Sequence, residues 1–330
     1  MKARQTRRYG AIATIVALVV VLVTGCGVTR GDDPSGMHRL RMMVPNSPGG
    51  GYDLTARTAV KIMEDEDITR RVEVFNVIGA GGTVAMARLM NEKGNGDLMM
   101  MMGLGVVGAV FTNGSSARAS DATALAKMVE EQEGILVPAD SPFRTIGDFV
   151  AAWKADPAKV TIGGGSSPGG PDHLFPMETA KAAGVDPKQV NFISYDGGGD
   201  LLTALLGKKI SVGATGLGEY VDQIEAGQVR VLAVSGKERV QGIDAPTLSE
   251  SGIDLTFTNW RGVLAPPGIS DEARQALVKT LEELHATDAW KAALVKNGWT
   301  DAFMTGPQFE QFLTDQDNRV SSTLTELGLL

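Results

Sequence analysis

Four times along this chain an apolar run ends in a glycine cluster and a helix-like pattern begins at once. The junctions are Pro48–Asp53 in "VPNSPGGGYDLTAR", Gly79–Thr83, Gly163–Asp172 and Tyr195–Asp200. The runs before them ("RLRMMVP", "RVEVFNVI", "KVTIGGG", "VNFISY") read as strands. The stretches after them carry apolar residues three and four apart: in "DLTARTAVKIMEDE", Leu54, Thr58 and Ile62 share one face. "DLMMMMGLG" is apolar throughout, as a strand buried on both faces should be, so Met99 to Met102 belong to the core. "EGILVPAD", "KISVGAT" and "VRVLAVS" are further strands. "TIGDFVAAWKADP" opens with Thr145 three residues before Asp148, a capping-box start. Asp271 to Ala286 is one amphipathic helix, and a last helix starts at Pro307, a favoured first position. Such alternation predicts an α/β fold of open, mostly parallel sheets covered by helices. At 330 residues the chain is long enough for two domains.

The first residues stand apart from that pattern. Lys2, Arg4, Arg7 and Arg8 precede an apolar run from Ala11 to Val23, too short to span a bilayer comfortably and suited to a signal peptide. "VTGC" then places small residues before Cys26, the sole cysteine, and resembles a bacterial lipobox. Residues 1–25 read as a lipoprotein signal peptide, Cys26 as the lipidated terminus and residues 26–36 as a flexible tether. The expected location is extracytoplasmic, anchored to the cell membrane. Losing four cations moves the formal charge from −8 to about −12, which opposes nucleic-acid binding. One cysteine allows no intramolecular disulfide.

Each glycine loop feeds a helix N-terminus, where unpaired N–H groups and the macrodipole favour an anion. In open α/β sheets, ligands lie at the carboxyl ends of strands, where these loops fall. Four in one chain point to a binding cleft. Nucleotide fingerprints fail: Gly79-Ala80-Gly81-Gly82-Thr83-Val84 has Val84 in place of the third glycine, and "LLGKKI" has Lys209 where a P-loop needs Ser or Thr. Gly165-Ser166-Ser167-Pro168-Gly169 satisfies G-x-S-x-G and makes a serine esterase at Ser167 the alternative. Pro168, however, lacks the N–H that an oxyanion hole takes from that position. His173 either donates to a ligand or caps and packs. No cluster has metal-ligand spacing, and no cofactor is called for.

"MVPNSPGGGYDLTAR" resembles the first loop of the substrate-binding proteins of tripartite tricarboxylate transporters, the Bug family, through Pro45, Pro48, Gly49, Gly50, Asp53, Ala56 and Arg57. "VIGAGGTVAMARL", "ILVPADSPFRTIGDFVAAWKADPAKVTIGGGSSPGGPDHL", "YDGGGDLLTALLGKKISVGAT" and "NWRGVLAPPGIS" continue the resemblance in order. It implies a two-domain, Venus-flytrap periplasmic-binding-protein fold. One domain would be 37–139 plus 257–330 and the other 140–256, with a hinge near Val137–Asp140 and Phe257–Gly262. It also implies a monomeric solute-binding protein, not an enzyme, that captures a small carboxylate and presents it to a membrane permease. A sensory protein presenting the same closed form is a further reading.

Mapped onto this chain, the implied ligand contacts are Ser47, Pro48, Gly49, Gly50, Gly51, Tyr52 and Asp53 in the first loop, and Gly81, Gly82 and Thr83 in the second. Ser166, Ser167, Gly169, Gly170 and His173 follow in the third, and Asp196, Gly197, Gly198 and Asp200 in the fourth. Asp53 is equally a helix cap, and Arg57 is expected to pair with an acid. Three departures stand out. Gly51 makes the first loop a triple glycine. Pro176 falls about one turn into a helix, which demands a first-turn position or a kink. Leu104-Gly105-Val106-Val107 is apolar where the family's loop faces the cleft, suggesting a partly hydrophobic ligand.

Overall fold

The computed structural model describes residues 40–330. The signal peptide, the tether and Cys26 lie outside the described residues.

Ten strands form the sheet framework. β1 (Arg41–Val44), β2 (Glu73–Asn76) and β3 (Leu98–Gly103) pair in parallel around β1. β5 (Thr161–Gly164), β6 (Asn191–Ser194) and β7 (Val212–Gly216) pair in parallel around β5. Between these two parallel sets the sheet is antiparallel. β9 (Thr258–Ala265) pairs with β3 on one side and with β4 (Thr123–Pro138) on the other. β4 has 16 residues and takes part in both sets. Its first part pairs with β9 and β10 (Trp299–Thr305), its second with β7 and β8 (Val229–Val234). The mostly parallel pairing expected from sequence is found at the two flanks, and the middle is antiparallel.

Helices cover the faces. α1 (Gly51–Asp65) buries Thr55, Ala56, Ala59, Val60, Ile62 and Met63, a stripe at helical spacing. It begins two residues before the apolar pattern does, with Gly50 extended at its N-cap. α2 (Thr83–Asn91) and α3 (Leu104–Thr112) follow β2 and β3. α4 (Ile146–Ala155) starts at the expected capping box: the Asp148 amide donates to Thr145 Oγ1 (3.1 Å) and the Thr145 amide to Asp148 Oδ2 (2.9 Å). α5 (Pro171–Ala183) takes Pro171 at its start and keeps Pro176 inside, so the kink-or-first-turn choice resolves to an interior proline. Pro176 leaves the carbonyl of Asp172 without its helical donor. α6 (Gly198–Leu206) and α7 (Val221–Glu225) lead to α8 (Asp271–Ala286), whose limits match the sequence reading. α9 (Asp288–Lys296) and α10 (Gly306–Glu326) complete the chain.

Met99 to Met102 are fully buried, alternating between the two faces of β3: Met100 and Met102 pack with Phe309 and Leu313, Met99 and Met101 with Leu277 and Leu281. The three antiparallel steps from β3 through β9 and β4 to β7 make the two parallel sets run in opposite directions, and the glycine loops follow the carboxyl ends of β1, β2, β5 and β6.

Met101→Ala and Leu281→Ala are each expected to lower unfolding free energy by about 2–5 kcal/mol in urea titrations, since each opens a core cavity. Val295→Ala, at a side chain 74% exposed, should change it by less than about 0.5 kcal/mol.

Candidate functional site

A cavity of about 270 Å³ lies where those loops meet, between two walls. One wall is the segment after β1 (Pro45, Asn46, Ser47, Gly51, Tyr52) with the turn after β2 (Ile78 to Gly82). The other is the segment after β5 (Gly165, Ser166, Ser167) with Pro171, Asp172 and Asp196. Gly105, Glu219, Asn259 and Arg261 complete the lining.

The walls meet closely. A Cβ on Gly81 would stand 2.9 Å from Ser167 Oγ, and one on Gly108 of α3 would stand 1.7 Å from the Gly169 carbonyl oxygen. Thr112 Oγ1 donates to the Pro168 carbonyl (3.0 Å). In the second turn Gly79, Gly81 and Gly82 have φ of 142°, 65° and 96°, a path that side-chain-bearing residues rarely follow. It ends in a short 3₁₀ turn, Ala80–Gly82, whose first amides have no acceptor within the turn.

Behind the cavity lies a charged cluster. Arg261, 3% exposed, ion-pairs through Nη2 with Glu131 Oε2 and donates through Nη1 to Thr55 Oγ1 (3.2 Å). Glu131 Oε1 accepts from the Gly218 amide (2.7 Å). Glu133, fully buried, has no partner for either carboxyl oxygen. Burial, with Asp172 and Glu131 nearby, raises its pKa well above the usual carboxylate value. Burial pushes Glu219 up to about 8, Glu131 adding to the effect, against Arg261 and the Gly51 amide. Burial likewise pushes Asp172 up to about 6, against hydrogen bonds from Thr215, the Gly165 amide and Ser166. Burial raises the Tyr52 hydroxyl to about 12, opposed by Arg261 and by the amides of Val106 and Gly105 at the start of α3.

Of the residues named from sequence, Ser47, Gly51, Tyr52, Gly81, Gly82, Ser166, Ser167 and Asp196 line the cavity. Pro48, Gly49, Gly50, Asp53, Thr83, Gly169, Gly170, His173, Gly197, Gly198 and Asp200 do not. The physical reason is that the protein's own groups take many of the loop amides. Gly49 N–H donates to Asp53 Oδ2 (2.9 Å), Gly50 N–H to the Ser47 carbonyl (3.3 Å) and the Gly51 amide to Glu219. Gly169 N–H donates to His173 Nδ1 (2.9 Å), and Gly170 N–H to the Ser167 carbonyl (2.8 Å). Gly198 lies under Glu219, and its carbonyl accepts from Tyr220 (2.9 Å). Asp200 is exposed in the first turn of α6. His173 packs on Phe192 at 4.6 Å between centroids, and burial lowers its pKa to about 4. Asp53 is buried under Arg57 (2.9 Å) and Asn76 (2.9 Å), so Arg57 pairs with an acid as expected. Burial opposes the charge on Asp53, but hydrogen bonds from Arg57, Gly49 and Asn76 outweigh it and lower its pKa.

Leu104, Val106 and Val107 point into the core, and Gly105 alone reaches the cavity. The apolar segment therefore supplies no hydrophobic wall, which corrects that expectation. Sequence reasoning missed Glu131, Glu133, Glu219, Asn259 and Arg261. Their signals were faint: E-x-E in "VEEQEGILV" puts two acids on one strand face, and Arg261 is a lone charge in an apolar run.

A family model described as "Tripartite tricarboxylate transporter family receptor" matches residues 56–329. The chain belongs to this family. It is similar to BugT of Bordetella pertussis, at 23% identity over 338 residues, covering 95% of this chain and 97% of that one. Among solved structures, it resembles a Rhodopseudomonas palustris protein with adipate, at TM-score 0.79 and 19% identity, covering 88% of this chain and 97% of that one. It also resembles MatC of the same organism with bound malate, at TM-score 0.75 and 20% identity, covering 87% and 98%. These likenesses carry the two-domain periplasmic-binding-protein fold. A tripartite tricarboxylate transporter receptor is a binding protein and not an enzyme. His173 Nδ1 accepts from Gly169 N–H, and His285 pairs with exposed Asp301 (2.9 Å).

Two outcomes follow for this site. Glu219 and Asp172 keep protons in the folded chain that they would release unfolded. These two groups bind more protons folded than unfolded between about pH 4 and pH 8; His173, lowered by burial to about 4, opposes them below about pH 6.5, so Glu219 carries the fall in stability as pH rises. Urea midpoints at about pH 5, 6.5 and 8 should decline in that order, and Glu219→Gln should flatten the upper part; a flat wild-type profile would reject the assignment. Gly108→Ala drives a methyl into the Gly169 carbonyl and should cost about 1–3 kcal/mol, read as a lower melting temperature.

Proposed function

We propose that this chain captures a small organic carboxylate in the cavity and delivers it to the permease of a tripartite tricarboxylate transporter. The carrying observation is the cavity itself: it sits where two sets of parallel strands end, and each wall comes from a different set. Two relatives in fold have adipate and malate bound, which supports the carboxylate class.

In this reading residues 37–139 with 257–330 form one lobe and 140–256 the other. β4 and β9 cross between them, and their segments near Val137–Asp140 and Phe257–Gly262 act as the hinge. The protein works as a monomer, and Cys26, outside the described residues, anchors it to the membrane. Asn46, Ser47 and Ser167, with the amides of the Gly79–Gly82 turn, take the carboxylate. Gly51, Tyr52, Ser166 and Asp196 complete the lining, while Gly49, Asp53, Gly169 and His173 hold the flanking loops through the bonds between them.

Binding stabilises the folded state by RT ln(1 + [L]/Kd), about 2.7 kcal/mol at 100 times Kd, or several degrees of melting temperature. A thermal-shift screen of mono-, di- and tricarboxylates and amino acids should give at least one such shift. Ser167→Ala should weaken it while neither protein turns over p-nitrophenyl esters. Ester turnover that vanishes in Ser167→Ala, or no shift with any carboxylate-bearing solute, would overturn the reading.

A further inference from the structure

A second recess shares the loop between β5 and α5 with the first cavity: Ser167 lines one and Pro168 the other. Its volume is about 480 Å³, within the range of small-molecule sites. Buried Met177 and Leu327 lie in its lining, joined by half-buried Phe192 and exposed Leu329. No acid lines it. Its one charged side chain is Lys188, exposed and ion-paired with no acid among the described residues. Neighbouring Asp186 is spent on its own turn, Pro187–Gln189, where it accepts from the Lys188 amide (3.0 Å).

The deciding group is His173. A backbone N–H only donates, so the bond from Gly169 N–H (2.9 Å) fixes Nδ1 as an acceptor. Burial lowers the ring's pKa to about 4, so at neutral pH its single hydrogen sits on Nε2. Among the described residues no acceptor takes that hydrogen. The ring is 7% exposed; it lines this recess and not the first cavity. Nε2 is not sealed in the interior as Asn46 Oδ1 and Asn259 Oδ1 are, so an entering molecule can reach it. An unanswered donor in so dry a place is costly, and an acceptor brought by a ligand offsets that cost.

We propose that this recess is a second binding site, for a free monocarboxylate with an apolar body, its anionic end accepting from His173 Nε2–H under the attraction of Lys188 and its body lying on Met177, Phe192 and Leu327. The composition selects this class. A cation would meet the Lys188 ammonium with no acid to offset it. A second carboxylate would have to lose its water against the apolar side chains. A neutral alcohol could take the His173 hydrogen but would gain nothing from Lys188. This site is separate from the carboxylate-binding reading of the first cavity and stands or falls without it.

Calorimetry with straight-chain carboxylates of four, six and eight carbons tests the inference, with octan-1-ol and octylammonium as matched probes. Affinity should rise about fourfold for each added methylene. Octanoate should bind about fivefold or more tighter than either matched probe. Lys188→Glu and Leu329→Asp, both at exposed side chains, should each weaken octanoate about fivefold or more while far-UV circular dichroism stays native. Ser167→Ala, in the first cavity, should leave octanoate binding unchanged. In nitrogen NMR, octanoate should move the His173 Nε2 resonance. Octanoate weakened as much by Ser167→Ala as by Lys188→Glu would place the probe in the first cavity and overturn the inference. No octanoate binding, or octylammonium binding equally well, would also overturn it. Sedimentation with phosphatidylglycerol vesicles that Lys188→Glu abolishes, or a dimer that Leu329→Asp dissociates, without octanoate binding, would give the recess to a membrane or to a second copy and overturn it likewise.

Discussion

One buried guanidinium governs the middle of this molecule. Arg261 sits on β9 where that strand runs beside β4, and Glu131 of β4 meets it. An unpaired charge at that depth would cost several kcal/mol, so neither residue is tolerable without the other. The pair does more than cancel itself. Arg261 opposes the burial of Glu133 and Glu219 and is the nearest counter-charge in a cluster otherwise made of acids. Because there is one base, only part of that acidity can be carried as negative charge, and the rest is carried as bound protons. The protonation pattern around the cavity follows first from burial and then from this imbalance.

A second theme is self-ligation. Glycine loops at helix starts offer amides to anions, and this chain answers many of those amides from within. Asp53 takes the Gly49 amide, Asp172 the Gly165 amide and Glu219 the Gly51 amide, while the Tyr52 hydroxyl rests on the start of α3. Each internal acceptor rigidifies its loop. What remains for a solute is the turn after β2 and the side chains of Asn46, Ser47 and Ser167. The cavity is thus more selective than a count of glycines suggests.

Much of the fold was legible because local signals agreed with tertiary need. Met99–Met102 is apolar on both faces and is buried on both; Thr145 and Asp148 cap a helix wherever they are placed. Asp271–Ala286 repeats at helical spacing, and its stripe is what the sheet covers. The first part of β4 was not legible. "TALAKMVEEQ" is rich in helix formers, yet pairing with β9 and β10 holds it extended, so tertiary context overrode propensity. The acid cluster escaped for a related reason. Glu131, Asp172, Glu219 and Arg261 are separated by dozens of residues and converge only when β4 joins both sets of strands. A loop's sequence shows that its amides are available, but not which distant carboxylate has already claimed them.

The fit of Glu219 between two helix starts ties three distant positions together. Its carboxyl fills the space that a methyl on Gly198 would need, and shares with the Arg261 guanidinium the space that one on Gly51 would need. Positions 51, 198 and 219 therefore form one unit of substitution. A homologue with a side chain at 198 has to shed the acid at 219 or swing it aside, and one with a side chain at 51 has to move the Arg261 guanidinium as well; either way the amide acceptor that now closes the start of α1 is disturbed. Divergence in this lineage should show these three sites changing in concert, and a chain that keeps both glycines but loses the acid would expose two helix N-termini to whatever anion enters.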